Sequence, residues 1–327
     1  MTTTTAVPFE REIEAVIAAA TTPEAPPMQW ADLPKIRQAM NQMNRPADEV
    51  IAGRAITAED RIIPGPAGAP DLEVTILRPT GHPGPVAEAL PVLYNIHGGG
   101  MMMGHRSMDT PRLADLVNEL GVVAVNVEYR LAPEHPHPAS SEDCYAGLQW
   151  LSAHAADLGV NPERIVVMGG SAGGGLSAAV ALMTRDRGGP ALAGQLLLCP
   201  MIDDTNTTVS SHQYTGLGTW PREMNLLGWQ ALLGEAAGGD YVDAYAAPTR
   251  AQDLSDLPPV FIEVGSAEMF RDENVDYATR IWATGGDAEL HVWSGGCHGF
   301  DMYAPEAEIT KAALSARTSW LRRVLNR

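Results

Sequence analysis

The stretch Met168-Gly-Gly-Ser171-Ala-Gly-Gly174 decides how the rest of the chain is read. An apolar run, Arg164-Ile-Val-Val-Met168, enters it, and a small-residue run of helix formers, Leu176-Ser-Ala-Ala-Val-Ala-Leu-Met183, leaves it. The order this predicts is strand, tight turn, helix, with Ser171 at the apex. Glycines on both sides of the serine let the backbone bend sharply without a Cβ clash. The helix then starts directly behind the serine, so its unpaired N–H groups point at whatever charge develops there. Five residues of the form G-x-S-x-G are common by chance. Their weight here comes from the flanking strand and helix, and from features elsewhere in the chain.

Outward from that turn, short apolar runs alternate with helical stretches. Strands are expected at Pro91–Ile96, Val122–Val127, Ile165–Met168, Gln195–Leu198, Val260–Val264 and Leu290–Trp293, and helices at 111–120, 141–157, 172–185, 272–284 and 306–326. Nearly all-apolar strands separated by helices predict an α/β fold with a mainly parallel sheet covered on both faces. Ahead of them, Ala55–Ile63 and Asp71–Arg78 alternate with period two around Pro64-Gly-Pro-Ala-Gly, which predicts an antiparallel hairpin. Residues 8–20 and 32–44 read as amphipathic helices with a Pro-rich break between them and no strand attached. Residues 201–256 are far longer than a crossover needs and carry Met201, Trp220, Met224 and Trp229, so a lid is expected there, packed with the N-terminal helices over the site. The expected division is 1–54 as the N-terminal part of a cap, 55–200 with 257–327 as the catalytic domain, and 201–256 as the cap insertion.

Composition narrows the class. A chain of 327 residues with 45% hydrophobic and 19% charged residues can bury a large core. Its formal charge of −18 argues against nucleic acid or an anionic membrane surface as partner, since both need basic patches. The first residues lack a basic region followed by an apolar one, and no apolar run approaches the ~20 residues of a membrane span. A cytoplasmic protein is expected. Cys144, Cys199 and Cys297 are odd in number and lack C-x-x-C spacing, so neither a disulfide framework nor a zinc site is predicted.

A serine hydroxyl becomes a nucleophile when a base takes its proton, and the base needs a carboxylate to hold its tautomer. In the chain order that accompanies this kind of turn, acid and histidine follow the serine. After Ser171 come His212, in the expected lid, His291, within a strand, and His298. The last sits in Gly295-Gly-Cys-His-Gly-Phe300, a loop able to carry a side chain back over the strand ends, and is the expected base. The acid belongs in the turn Gly265-Ser-Ala-Glu268-Met-Phe-Arg-Asp272-Glu273. Glu268 lies in the turn itself and is preferred. Asp272 opens the next helix, where a carboxylate has a structural reason to be, and is the alternative. Directly after a strand, His97-Gly98-Gly99-Gly100 offers backbone N–H groups without side chains in the way. With the N–H of Ala172, those of Gly98 and Gly99 would hold an oxyanion. A phosphate loop is the rival reading of these glycines, and its spacing does not fit.

Taken together and in order, His97–Gly100, Val127-Glu-Tyr-Arg-Leu-Ala-Pro-Glu134-His-Pro, Gly169-Gly-Ser-Ala-Gly-Gly174, Arg271-Asp-Glu273 and His298-Gly-Phe300 resemble the bacterial hormone-sensitive-lipase-type esterases, a branch of the α/β-hydrolases. The resemblance spans about residues 55–320. It implies the α/β-hydrolase fold with a helical cap, Ser171 as nucleophile, His298 as base, and Gly98, Gly99 and Ala172 as oxyanion donors. It also implies no metal or organic cofactor, and copies that can pair as a homodimer through the sheet edge. The chain departs from the family at Gly170, where Asp or Thr is usual, and at Glu268, where the acid is usually Asp.

The expected activity is hydrolysis of short-chain acyl esters, a small-molecule substrate. Met101, Met102, Trp220 and Gly170 are the expected pocket residues, although a plain core role suits the methionines and Trp220 equally. Tyr129, Arg130 and Glu134 are expected to form a buried ion-pair and turn element. Cys297, lacking the turn, is not expected to be a nucleophile. An amidase, formamidase or lactonase would use the same machinery, and a non-catalytic small-molecule receptor on this fold would have lost the histidine.

Overall fold

A computed structural model describes residues 5–20, 28–81 and 89–326. Eight strands form one sheet: β1 (Ile56–Ile63), β2 (Leu72–Pro79), β3 (Leu90–Ile96), β4 (Val123–Val127), β5 (Val160–Gly170), β6 (Gly194–Leu198), β7 (Val260–Gly265) and β8 (Ala288–Trp293). Their order across the sheet is β1-β2-β4-β3-β5-β6-β7-β8. The hairpin β1–β2 is antiparallel, with Ile56 opposite Pro79 and Ile63 opposite Leu72, and β2 also runs antiparallel to β4. From β4 to β8 every pairing is parallel. This is the α/β-hydrolase architecture that the motifs imply.

Adjacent residues of a strand face opposite sides of a sheet, and here both sides are dry. Tyr94, Val125 and Val167 pack with Cys144, Leu148 and Leu151 of the helix Ala139–Ala153 and with Leu176, Val180 and Met183 of the helix Ala172–Arg187. Their neighbours Leu93, Ala124, Val166 and Met168 pack on the other face with Leu113 and Val117 of the helix Thr110–Leu120 and with Trp320, Leu321 and Val324 of the helix Glu308–Leu325. Each such fully buried aliphatic side chain stabilises the fold by roughly 1.5–3 kcal/mol, which is why these strands carry no polar alternation. β1, an edge, differs: the consecutive Glu59, Asp60 and Arg61 put charge on both faces of its middle, and charge on an edge discourages pairing with another chain.

The expected strands and helices are present, with shifted ends. β5 begins at Val160 because Val160 pairs with Leu90, and the register then jumps to Ile165 opposite Val92, leaving Asn161–Arg164 as an irregularity. The helix expected over 141–157 breaks at His154 into Ala139–Ala153 and Ala155–Leu158. The last helix starts at Glu308, and a short one, Phe300–Tyr303, precedes it. The N-terminal helices are Arg11–Ala20 and Leu33–Met43, and the Pro-rich break between them, residues 21–27, lies outside the described residues. Residues 201–256 hold the helices Val209–Gln213 and Arg222–Leu233. They meet the N-terminal segment where the Tyr214 hydroxyl donates to the Val7 carbonyl at 2.9 Å and the Phe9 and Tyr214 rings lie 6.2 Å apart.

Candidate active site

β5 delivers Ser171 to the carboxyl end of the sheet, and the helix Ala172–Arg187 starts on the next residue. Ser171 has φ 56° and ψ −123°, a backbone region that costs a residue with a Cβ about 1–3 kcal/mol. The strain is held by three hydrogen bonds: Ser171 N–H donates to the Leu198 carbonyl at 2.8 Å, and the Ser171 carbonyl accepts from Gly175 and Met201 N–H, each at 3.0 Å. Gly173 is required by close approach, because a Cβ there would stand 2.0 Å from the Ile96 carbonyl oxygen. The end of β3 thus presses against the start of the helix and brings His97–Gly100 alongside the serine. A Cβ on Gly98 would lie 3.5 Å from that of Ser171. Among the described residues, no backbone carbonyl takes the N–H of Gly98 or Gly99.

The loop after β8 returns His298 over the strand ends. Its Nε2 lies 2.9 Å from Ser171 Oγ, and its Nδ1 lies 2.7 Å from Glu268 Oε2. Glu268 is 2% exposed, and its other oxygen accepts the N–H of Gly265 at 2.8 Å, so both carboxylate oxygens are engaged. The turn bearing Glu268 and the loop bearing His298 are tied to each other. Ala267 N–H donates to the Gly296 carbonyl at 3.0 Å, and Gly295 N–H to Ser266 Oγ at 2.8 Å. Phe270 stands edge-on to the imidazole at 5.0 Å, and Thr219 Oγ1 donates to the His298 carbonyl at 2.6 Å. Burial pulls the His298 pKa down, but the Cys199 and Glu268 groups beside it outweigh burial and hold it well above the usual histidine value.

Asp272 points elsewhere. Its carboxylate accepts from Ser210 N–H and Arg271 Nε, both at 2.7 Å. His212 is exposed at the end of its short helix, and His291 bonds Glu289 at 3.0 Å on the edge strand. Met101 and Met102 are fully buried beside the glycine turn. Trp220 packs so closely that a Cβ on Gly100 would stand 2.5 Å from its ring, and the ring centre is 6.1 Å from that of His298. At Gly170 a Cβ would meet Arg112 Nη1 at 3.6 Å and the Leu198 carbonyl oxygen at 3.9 Å, ordinary contacts, so a small side chain would fit there without strain. Burial pushes the Cys297 thiol up to about 12, which leaves it unreactive.

Tyr129 and Arg130 are structural, as expected. The Tyr129 hydroxyl donates to the His97 carbonyl at 3.0 Å, and Arg130 forks onto the buried Asp143. Glu134 corrects the expectation. It does not pair with Arg130, and its half-exposed carboxylate holds Arg37 of the helix Leu33–Met43 at 2.7 Å. Arg37 also donates to the carbonyls of Met102 and Ala132, each at 2.7 Å, so it links an N-terminal helix to the glycine turn. Arg37 was not legible as a site residue. Cys199, which borders His298, was legible in principle: it directly follows β6, and parallel sheets build their sites at the carboxyl ends of strands.

Known proteins resemble this chain over most of its length. A family described as alpha/beta hydrolase fold matches residues 93–302. Carboxylesterase NlhH of Mycobacterium tuberculosis is 35% identical over 269 residues, 79% of this chain and 81% of the relative. Among solved structures, a bacterial heroin esterase superposes with TM-score 0.86 at 35% identity, covering 97% of this chain and 98% of the other. Esterase LipW of Mycobacterium marinum gives TM-score 0.86 at 30% identity, covering 98% and 99%. The chain belongs to the α/β-hydrolases, in their hormone-sensitive-lipase-type esterase branch.

Proposed function

We propose that Ser171, His298 and Glu268 carry out the carboxylic ester hydrolysis of this enzyme through an acyl-enzyme. One observation carries the reading: a single imidazole reaches the serine hydroxyl with one nitrogen and a buried carboxylate with the other. With Nδ1–H donating to Glu268, the lone pair of Nε2 is left to accept the Ser171 proton. The hydroxyl oxygen attacks the ester carbonyl, and the resulting oxyanion is met by the N–H groups of Gly98, Gly99 and Ala172. Ala172 is the first residue of its helix, where N–H groups have no partner within the helix and the helix dipole favours negative charge. The imidazolium returns its proton to the departing alcohol. Water then enters, loses a proton to Nε2, and attacks the acyl carbon, which frees the acid and Ser171.

In this reading, the described part of residues 1–54 and residues 201–256 form the cap, with Trp220 roofing the site and Met101 and Met102 buried beside the glycine turn, and the substrates are short-chain acyl esters. Gly170 lines the site beside Arg112. Two copies paired through the exposed edge strand β8, and a cytoplasmic location, complete it. The test is a pair of variants assayed on an aryl ester of a short acid. Glu268→Gln is expected to lower kcat on the order of 10⁴-fold, because an amide cannot stabilise the imidazolium, whereas Asp272→Asn stays within about threefold of wild type. The opposite ranking, with both proteins folded, contradicts the assignment of the acid.

A further inference from the structure

Cys199 has no part in the chemistry above, yet its place is unusual. It adopts φ +38°, a backbone conformation that cysteine rarely takes, and its N–H is fixed to the Glu263 carbonyl at 2.7 Å. Its sulfur, a carboxylate oxygen of Glu268 and a ring nitrogen of His298 all lie within 4.8 Å of one another. Among the described residues, no other three His, Cys, Asp or Glu side chains bring donor atoms that close. Glu268 and His298 are nine-tenths or more buried, while Cys199 is half-buried.

We propose that Cys199, Glu268 and His298 form a binding site for a divalent cation of the zinc type, and that the bound ion switches ester hydrolysis off. The inhibitory half rests on His298 being the base. Thiolate, imidazole and carboxylate are the donor set of tetrahedral zinc, with bond lengths of about 2.3, 2.0–2.1 and 2.0–2.2 Å. Such bonds place donors about 3.5 Å apart. The three groups therefore need small shifts, chiefly the opening of the 2.7 Å Glu268–His298 hydrogen bond by under about 1 Å. The thiol proton leaves to solvent on binding, the proton on His298 Nδ1 passes to Nε2 where the ion takes Nδ1, an imidazolium also gives up its second proton to solvent, and no group is oxidised or reduced. A neutral imidazole has one lone pair in its ring plane, so an ion on either nitrogen leaves none to take the Ser171 proton. Magnesium and calcium prefer oxygen ligands and should not occupy a site built on sulfur.

The experiment titrates the full chain with zinc chloride against a chromophoric chelator, repeats the titration with cadmium chloride, and follows ester hydrolysis in parallel. One equivalent of zinc is expected to bind, cadmium to give a thiolate charge-transfer absorption in the near ultraviolet, and hydrolysis to fall at least about tenfold, recovering on chelation. Cys199→Ala and Cys199→Ser are expected to lose the cadmium absorption. In both, zinc affinity should weaken at least about tenfold, with inhibition, measured against each variant's own zinc-free rate, weakening in step. Undiminished zinc affinity in these variants, or a cadmium absorption that survives the loss of Cys199, overturns the site. Binding that depends on Cys199 but leaves hydrolysis unchanged overturns the inhibition and, with it, His298 as the base, while the ion site stands.

Discussion

At the scale of the residue, a hydroxyl held in a strained backbone and a ring nitrogen held by a buried carboxylate meet at 2.9 Å. Ser171→Ala and His298→Ala should each lower turnover on the order of 10⁶-fold, since either loss disables the same step. In the proposed mechanism the pH dependence follows from His298. The imidazole must be unprotonated to act as base, and its pKa stands well above the usual value despite burial, through the Cys199 and Glu268 groups beside it. Hydrolysis should therefore rise with pH, with its inflection above about 6.5, and Glu268→Gln should move the inflection downward by removing a negative charge. A pH–rate profile with an inflection below the ordinary histidine value would contradict this. That Ser171 and His298 would meet was legible because glycine-rich loops around a lone serine and a lone histidine have few other uses. Glu268 was separable from Asp272 only in part. Two carboxylates one helical turn apart differ in where they point, and direction depends on contacts such as Ser210 N–H to Asp272 that lie far off in the chain.

Among the elements, the strands β3 to β7 were readable as apolar runs because both faces of the sheet are covered. The clamp on the histidine loop was not readable. The helix Arg11–Ala20 packs Ile13 and Ile17 against Cys297 and Phe300, on either side of His298, and Glu10 N–H donates to the Gly295 carbonyl at 2.9 Å. Contacts between the two ends of a chain leave no mark on local periodicity, so the amphipathic pattern announced a buried face without saying what buries it. Ile13 is 1% exposed, and Ile13→Ala should cost about 2–5 kcal/mol at this interface. Faster amide hydrogen exchange in residues 294–300 and lower activity are the expected outcome. Unchanged exchange in that loop would show that the helix does not hold it.

For the whole molecule, a charge of −18 hides an ordered set of buried ion pairs. Arg317, from the last helix, bonds Glu263 of β7 and Asp301 beyond the histidine loop, and Asp301 also takes Arg112, which reaches Asp109. This network ties the last helix to β7, to the segment after the histidine loop and to the helix Thr110–Leu120 on one face of the sheet, and Arg317→Met, which strands the buried Glu263 and takes one of the two arginines from Asp301, should destabilise the fold by about 3–5 kcal/mol in denaturant titration. Burial pushes the Asp301 pKa up, but Arg317 and Arg112 outweigh it and hold the carboxyl below its ordinary range. Its contribution to stability is therefore complete above about pH 4 and drains away as the pH falls further; stability that rises on acidification through this range would contradict the pairing. None of this alters the central claim, that one hydroxyl is the nucleophile. That claim is tested most directly by treating the full chain with an organophosphate and locating the adduct by peptide mass spectrometry. A single adduct on Ser171, growing in proportion to the loss of ester hydrolysis and absent from His298→Ala on the same timescale, is the predicted result. Full inactivation with Ser171 unmodified, or a Ser171→Ala variant that hydrolyses esters at the wild-type rate, would contradict it.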